Sequence, residues 1–317
     1  MAKYRERLPQ LEPGDALFLT DGGLETTLVF HHGMELPHFA SFPLLTTEAG
    51  RRQLDDYFAR YAELARKHGA GLVVETPTWR ASREWGEALG HDAAALAELN
   101  AEAVRQLEGV RERFETAETP IVISGNLGPR GDGYDPATLQ SADAAQEYHS
   151  AQIETFAASQ ADLVSALTIT HVEEAIGIAR AARAAEMPVV ICFTLETVGR
   201  LPTGQTLGEA IEVCDRETGG YVAYYGINCA HPSHFEAVLR EAGTAGWLER
   251  LRMVRANASR KSHAELDEAT ELDEGNPPEF GEECSALRRW AHKLNVLGGC
   301  CGTDPRHVEA IAEAIGR

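Results

Sequence analysis

Residues 295–317 read NVLGGCCGTDPRHVEAIAEAIGR. An apolar run leads through a glycine pair into two adjacent cysteines, and an amphipathic segment follows. An apolar run succeeded by helical spacing is one βα unit, and the same alternation recurs along the whole sequence, the mark of a parallel sheet with helices packed on it. The strand candidates are ALFLTDGG (16–23), GLVVETPTW (71–79), PIVISGNLGP (120–129), ADLVSALTI (161–169), PVVICFTL (188–195), YVAYYGINCA (221–230), RMVRANAS (252–259) and LNVLGGCC (294–301), eight in all. Between the first two, Leu54, Tyr57, Phe58, Tyr61, Leu64 and Ala65 form the stripe of a helix laying one face on a sheet. Further helices are expected over 92–117, 141–160, 171–186, 206–217, 232–243, 284–293 and 304–316. This count predicts a closed (β/α)₈ TIM barrel, a single domain over residues 1–317. A Rossmann-type sheet would require a G-x-G-x-x-G turn after the first strand, which DGGLETTL does not supply. One stretch breaks the rhythm: about 256–283 is an acidic, Pro- and Gly-containing insertion, expected to be a long loop, either solvated or a lid over the barrel mouth.

The net charge of -20, from 29 Lys plus Arg against 49 Asp plus Glu, would repel a phosphate backbone, and no basic patch offsets it. Nucleic acid is therefore not an expected partner. The first residues never reach an apolar stretch of signal-peptide length, and nothing later approaches a membrane span, so a cytoplasmic protein is expected. Oligomeric state is left open.

Six cysteines are too few for a disulfide scaffold at this length, and in a reducing compartment clustered thiols point to metal or catalysis. Barrel active sites lie at the C-terminal strand ends. Strand six ends in GINCAHP and strand eight in GGCCGTDP, so Cys229, Cys300 and Cys301 are expected to meet there. Three thiolates with an open fourth position suit a catalytic Zn²⁺, at Zn–S distances of about 2.3 Å. The flanking glycines let the backbone bend so that both neighbouring side chains reach one ion, although adjacent strand residues point to opposite faces. A redox pair is the competing reading of Cys300 and Cys301, disfavoured by their adjacency. Cys192, Cys214 and Cys284 read as packing residues.

DGGLETTL, TPTWRAS, GNLGPRGDGY, GINCAHP and GGCCGTDPRHV together resemble, in the same order and across nearly the whole chain, the homocysteine S-methyltransferase family. The resemblance implies a zinc-bearing barrel in which a substrate thiol becomes the fourth ligand and attacks a methyl group on a sulfonium, an ammonium or methylcobalamin. Its zinc ligands fall on Cys229, Cys300 and Cys301. Homocysteine is the default acceptor, methionine the product, and a small sulfonium or betaine-type molecule the expected donor. A zinc-bound thiol is deprotonated at neutral pH, whereas a free one has a pKa of about 8.5.

The resemblance places the acceptor's amino group on Asp21, with the N–H groups of Gly22 and Gly23 left for its carboxylate, and adds Thr168 and Asn228 as substrate contacts. It also implies a Glu before Thr168, where this chain has Leu167. Trp79 and Arg80 replace a smaller aromatic and an amide, which implies a reshaped pocket. The lost carboxylate motivates a second reading, a zinc- or thiol-binding barrel with an altered acceptor or no transferase activity. His231 is a reserve ligand, and His263 matters only if the insertion closes. His31 and His32 read as surface, Asp132 as solvent-exposed or facing a cationic donor, and the GNLGPRGDGY glycines as a turn beside the donor pocket.

Overall fold

The computed structural model describes residues 2–14, 16–133 and 139–316. Tyr134, which ends the GNLGPRGDGY motif, lies outside the described residues. Eight parallel strands close a barrel in sequence order: β1 Phe18–Leu19, β2 Gly71–Glu75, β3 Ile121–Leu127, β4 Leu163–Ile169, β5 Val189–Phe193, β6 Tyr224–Asn228, β7 Leu251–Ala256 and β8 Val296–Gly299. Closure is made at β1, where Phe18 pairs with Gly71 on one side and with Val296 on the other. All eight expected strands are present.

Alternation along the strands sorts their side chains into two cores. Phe18, Val73, Val122, Leu163, Val190, Cys192, Tyr224, Met253 and Val296 fill the barrel interior. Leu72, Val74, Ile121, Ile123, Ile191 and Val254 point outward under the helices. Helix Glu48–Lys67 shows why these segments fold as they do: Thr47 caps its start by accepting from the Gly50 N–H, and Leu54, Tyr57, Phe58, Tyr61 and Ala65 are buried along one stripe. Cys192, Cys214 and Cys284 are buried packing residues, as expected.

The insertion differs from the expected loop in having two helices. His263–Asp267 is a short helix closed by a Ser262–Glu265 capping box. Helix Pro277–Ala286 starts at 277, not at 284, because Asn276 caps it and Pro277 occupies its first turn. Among the described residues no helix is long and apolar enough to cross a membrane.

Candidate functional site

The three cysteines meet. Cys300 Sγ lies 3.4 Å and Cys301 Sγ 3.6 Å from Cys229 Sγ, across 71 and 72 residues of sequence. The end of β7 aligns them: the Arg255 carbonyl accepts from the Cys229 N–H at 3.1 Å, and the Ala256 carbonyl from the Cys300 N–H at 2.7 Å. Cys229 adopts a left-handed φ of 57° and Gly302 one of 79°, so the chain turns sharply beside each thiol. Gly23 is needed because a Cβ there would come within 2.6 Å of the Cys300 carbonyl oxygen. Tetrahedral ligands at the usual Zn–S length stand about 3.8 Å apart, so three sulfurs at these separations fit a thiolate-bound zinc. Hydrogen bonding to Cys229 and Cys301, with help from the Arg255 guanidinium, holds the Cys300 thiol well below its ordinary pKa, while Cys229 is pushed well above its own.

Two compartments share Thr26, Phe39, Trp79 and Cys301 as lining residues. The smaller, about 60 Å³, is lined by Asp21, Glu75, Leu167, Thr168, Asn228, Arg255 and all three cysteines. The larger, about 510 Å³, has Phe39, Trp79, Arg80, Trp85, Asp132 and Cys301 among its lining residues. Its far wall is the insertion, through Ser259, His263, Leu266, Glu271, Leu272 and Asp273. The Arg80 guanidinium lies over both indoles, 4.2 Å from Trp79 and 3.8 Å from Trp85. The glycine loop shapes this compartment, since a Cβ at Gly128 would meet the Trp79 carbonyl at 2.3 Å.

Thr168 sits where the β4–β5 register shifts, with a φ of 63°. Asn228 clamps it, its Oδ1 accepting from the Thr168 N–H at 2.7 Å and its Nδ2 donating to Thr168 Oγ1 at 2.8 Å. The same Nδ2 reaches Cys300 Sγ at 3.9 Å. Asp21 lines the smaller compartment, but it is not an isolated carboxylate. Its Oδ1 is 2.7 Å from Arg255 Nη2, and its Oδ2 accepts from the Tyr57 hydroxyl at 3.1 Å. The expectation of free glycine amides is corrected at Gly23, whose N–H already donates to the Thr303 carbonyl at 3.0 Å.

Sequence reading missed Arg255 and Glu75. Arg255 is buried and bonds the Gly299 and Gly22 carbonyls, Asp21 and Glu75 Oε2. Although burial opposes its charge, Asp21 and Glu75 hold Arg255 protonated. Burial pushes the Glu75 carboxyl up to about 7 against the pull of Arg255, with Asp21 adding to the rise. Burial likewise raises Asp21, against Arg255 and Tyr57. Strand alternation was the available signal: Val73 and Met253 face the interior, so Glu75 and Arg255, two residues on, do so too.

Of the histidines, His263 is turned inward and buried. It is 6% exposed, with Nε2 2.6 Å from the Cys229 carbonyl, so the insertion packs against the site. His231 is outside the thiol cluster; it caps helix Pro232–Ala242 through the Ser233 N–H, and burial pulls its pKa down to about 4. His31 and His32 are exposed, and His31 pairs with Glu274 at 2.7 Å. Asp132 is exposed at the rim of the larger compartment.

Comparison with known proteins accords with this geometry. Residues 18–315 match the sequence profile of the family described as Homocysteine S-methyltransferase. The selenocysteine Se-methyltransferase of Brassica oleracea var. italica is 22% identical over 324 residues, covering 94% of this chain and 88% of that protein. Betaine–homocysteine S-methyltransferase 1 of Rattus norvegicus is 29% identical over 179 residues, so 52% of this chain aligns with 42% of that one. The homocysteine methyltransferase MmuM from Escherichia coli, in its metallated form, superposes with a TM-score of 0.74 at 21% identity, covering 95% of this chain and 96% of that one, a likeness of fold. With the profile running from β1 into the last helix, the chain belongs to the homocysteine S-methyltransferase family.

Proposed function

We propose that this chain, as a single barrel domain, transfers a methyl group from a small sulfonium or betaine-type donor to a thiol, homocysteine by default, giving methionine, at a zinc ion held by Cys229, Cys300 and Cys301. The observation that carries the reading is a cluster of three sulfurs that all line the smaller compartment while one of them, Cys301, also lines the larger. Two substrates can thereby approach one centre from different sides, as a direct transfer requires. The relatives' names supply the chemistry by analogy, since they act on homocysteine or selenocysteine. The cytoplasm, where thiols stay reduced, is the compartment this reading assigns.

Bound there, zinc would supply the Lewis acidity that lowers the acceptor thiol's pKa, making its sulfur nucleophilic at neutral pH. The protein's own residues do the rest. Asn228 keeps a donor on Cys300 Sγ and fixes Thr168 against the smaller compartment. Trp79 and Phe39 line both compartments, and the insertion walls the larger one, which limits the access of water to the site. The donor side sets the three carboxylates Asp132, Glu271 and Asp273 against Arg80, a balance that favours a cationic donor. Because Arg80 covers the two indoles, the onium group is met by those acids and by Phe39 rather than by the Trp faces.

A second reading, an altered acceptor or a binding barrel without transferase activity, is favoured by one feature: Asp21 is already paired with Arg255, and β4 contributes Leu167 rather than an acid to the compartment. Zinc content and transfer assays separate the two. The expected result is one zinc per chain, lost in Cys229→Ser, with methionine formed from homocysteine and S-methylmethionine or betaine. Stoichiometric zinc without transfer to any thiol from any onium donor would leave the second reading standing.

A further inference from the structure

Inside the smaller compartment the charges do not balance. Asp21, Glu25 and Glu75 line it against a single guanidinium, Arg255. Asp21 has Arg255 on Oδ1 and Tyr57 on Oδ2. Glu25 Oε1 accepts from the Ser41 hydroxyl at 2.7 Å. Glu75 is 2% exposed and gives Oε2 to Arg255, but its Oε1 is buried with no hydrogen-bond partner. The Ser165 hydroxyl is a hydrogen-bonding neighbour of the Glu75 side chain, but it is shared with Ser124 Oγ at 2.8 Å and brings no charge. A buried carboxylate oxygen left without a close donor is costly in general, and beside a cavity it leaves room for a partner that can donate to it.

From this geometry we infer that Glu75 Oε1 is the receptor for an ammonium group on the acceptor, making Glu75 the residue that selects an amino-acid thiol over one without an amine. The inference rests on the thiol-acceptor reading above. An ammonium is the complement the compartment lacks: it donates where Oε1 has no donor, and its charge offsets the excess of carboxylates over Arg255. Glu75 stands on β2 and Leu167 on β4, so the charge enters from a different strand than the apolar wall. Arg255 holds the Glu75 carboxylate in place through Oε2, leaving Oε1 for the ligand. Gln at this position would keep an oxygen for Arg255 but lose the charge and present an amide N–H to the ligand, which repels an ammonium.

The test uses zinc-loaded protein, with binding measured by calorimetry and transfer by kcat and KM. Two probes differ only in the amine: L-homocysteine and 4-mercaptobutanoate. Wild type is expected to bind homocysteine about tenfold to a hundredfold more tightly, the range of one charge-assisted hydrogen bond. In Glu75→Gln that preference should collapse, while 4-mercaptobutanoate binds within about twofold of wild type. Leu167→Glu added to Glu75→Gln should restore the preference, which excludes misfolding as the cause. Equal weakening of both thiols in Glu75→Gln, or collapse of the preference in Glu25→Gln instead, overturns the assignment. Wild type that binds both thiols alike overturns it while leaving the thiol-acceptor reading intact, and wild type that binds neither overturns both.

Discussion

His38, Phe39, Thr168 and Cys229, which wall the two compartments, carry φ values of 54°, 57°, 63° and 57°. Among the described residues only one other non-glycine, Glu186, does so. Each costs of order 1–3 kcal/mol, and such strain persists only where neighbours over-determine the backbone. Asn228 does this for Thr168 with two hydrogen bonds, and it donates to Cys300 Sγ as well. Asn228→Asp keeps the acceptor for the Thr168 N–H but removes both donations and adds charge beside the thiols. Zinc affinity is expected to fall about tenfold to a hundredfold, read by competition with a chelating dye; unchanged affinity would limit Asn228 to holding the backbone. Glu75 predicts a pH effect. Its folded pKa of about 7 exceeds the ordinary carboxyl value, so its contribution to stability is complete below about 4.5 and is lost as pH rises through 7. The loss amounts to roughly 3 kcal/mol. In urea titrations from pH 5 to 8, Glu75→Gln should therefore gain stability relative to wild type as pH rises, and a parallel pair of curves would contradict it. The cysteines were legible in the sequence because strand ends fix where their thiols go. For Glu75 and Arg255 strand alternation gave only the inward direction; their pairing was not legible, because an ion pair spanning 180 residues leaves no local pattern.

The strands were legible because each is a short apolar run, although β1 is reduced to Phe18–Leu19 where a longer strand was expected. The insertion was harder. Its acidic composition reads as loop, yet Ser262 with Glu265 and Asn276 with Pro277 are helix-start signals that composition obscured. What composition cannot reveal is the tertiary anchoring. Ser259 Oγ donates to Asp273 at 2.7 Å, His307 Nε2 lies 2.8 Å from the Glu274 carbonyl, and His263 Nε2 lies 2.6 Å from the Cys229 carbonyl. The last of these ties the wall of the larger compartment directly to a residue of the thiol cluster. His263→Ala leaves that buried carbonyl without its short bond, at a cost of about 1–3 kcal/mol. It should also speed proteolytic cleavage between residues 260 and 275 and raise the donor's KM more than the acceptor's. His263→Gln, which retains an N–H donor, is expected to recover part of both effects. Wild-type cleavage rates in His263→Ala would mean that the Ser259 and Glu274 contacts hold the wall unaided.

For the molecule as a whole, barrel closure is what makes the thiol cluster. Asn228 pairs with Arg255 and Ala256 with Gly299, so the registers of β6, β7 and β8 together set where Cys229 meets Cys300 and Cys301. Before folding, the adjacent pair offers two sulfurs, while the third lies at the far end of a 71-residue segment whose closure costs entropy. A three-thiolate site therefore exists in the native state and not in the unfolded chain, and zinc that binds it must stabilise the fold by mass action, about 2.7 kcal/mol at a free concentration one hundred times Kd. Thermal and urea midpoints should rise with added zinc, fall back with a chelator, and show neither response in Cys229→Ser. Cys301→Ser should behave as Cys229→Ser does, because each variant leaves two sulfurs in a site that needs three. A redox function of the adjacent pair predicts otherwise: Cys229→Ser would leave the pair's response to oxidant intact, and zinc would not move the midpoint of the wild type. Stability measured against metal thus distinguishes the two chemistries without any substrate, since only a metal centre needs the sixth and eighth strands to be closed around it at once.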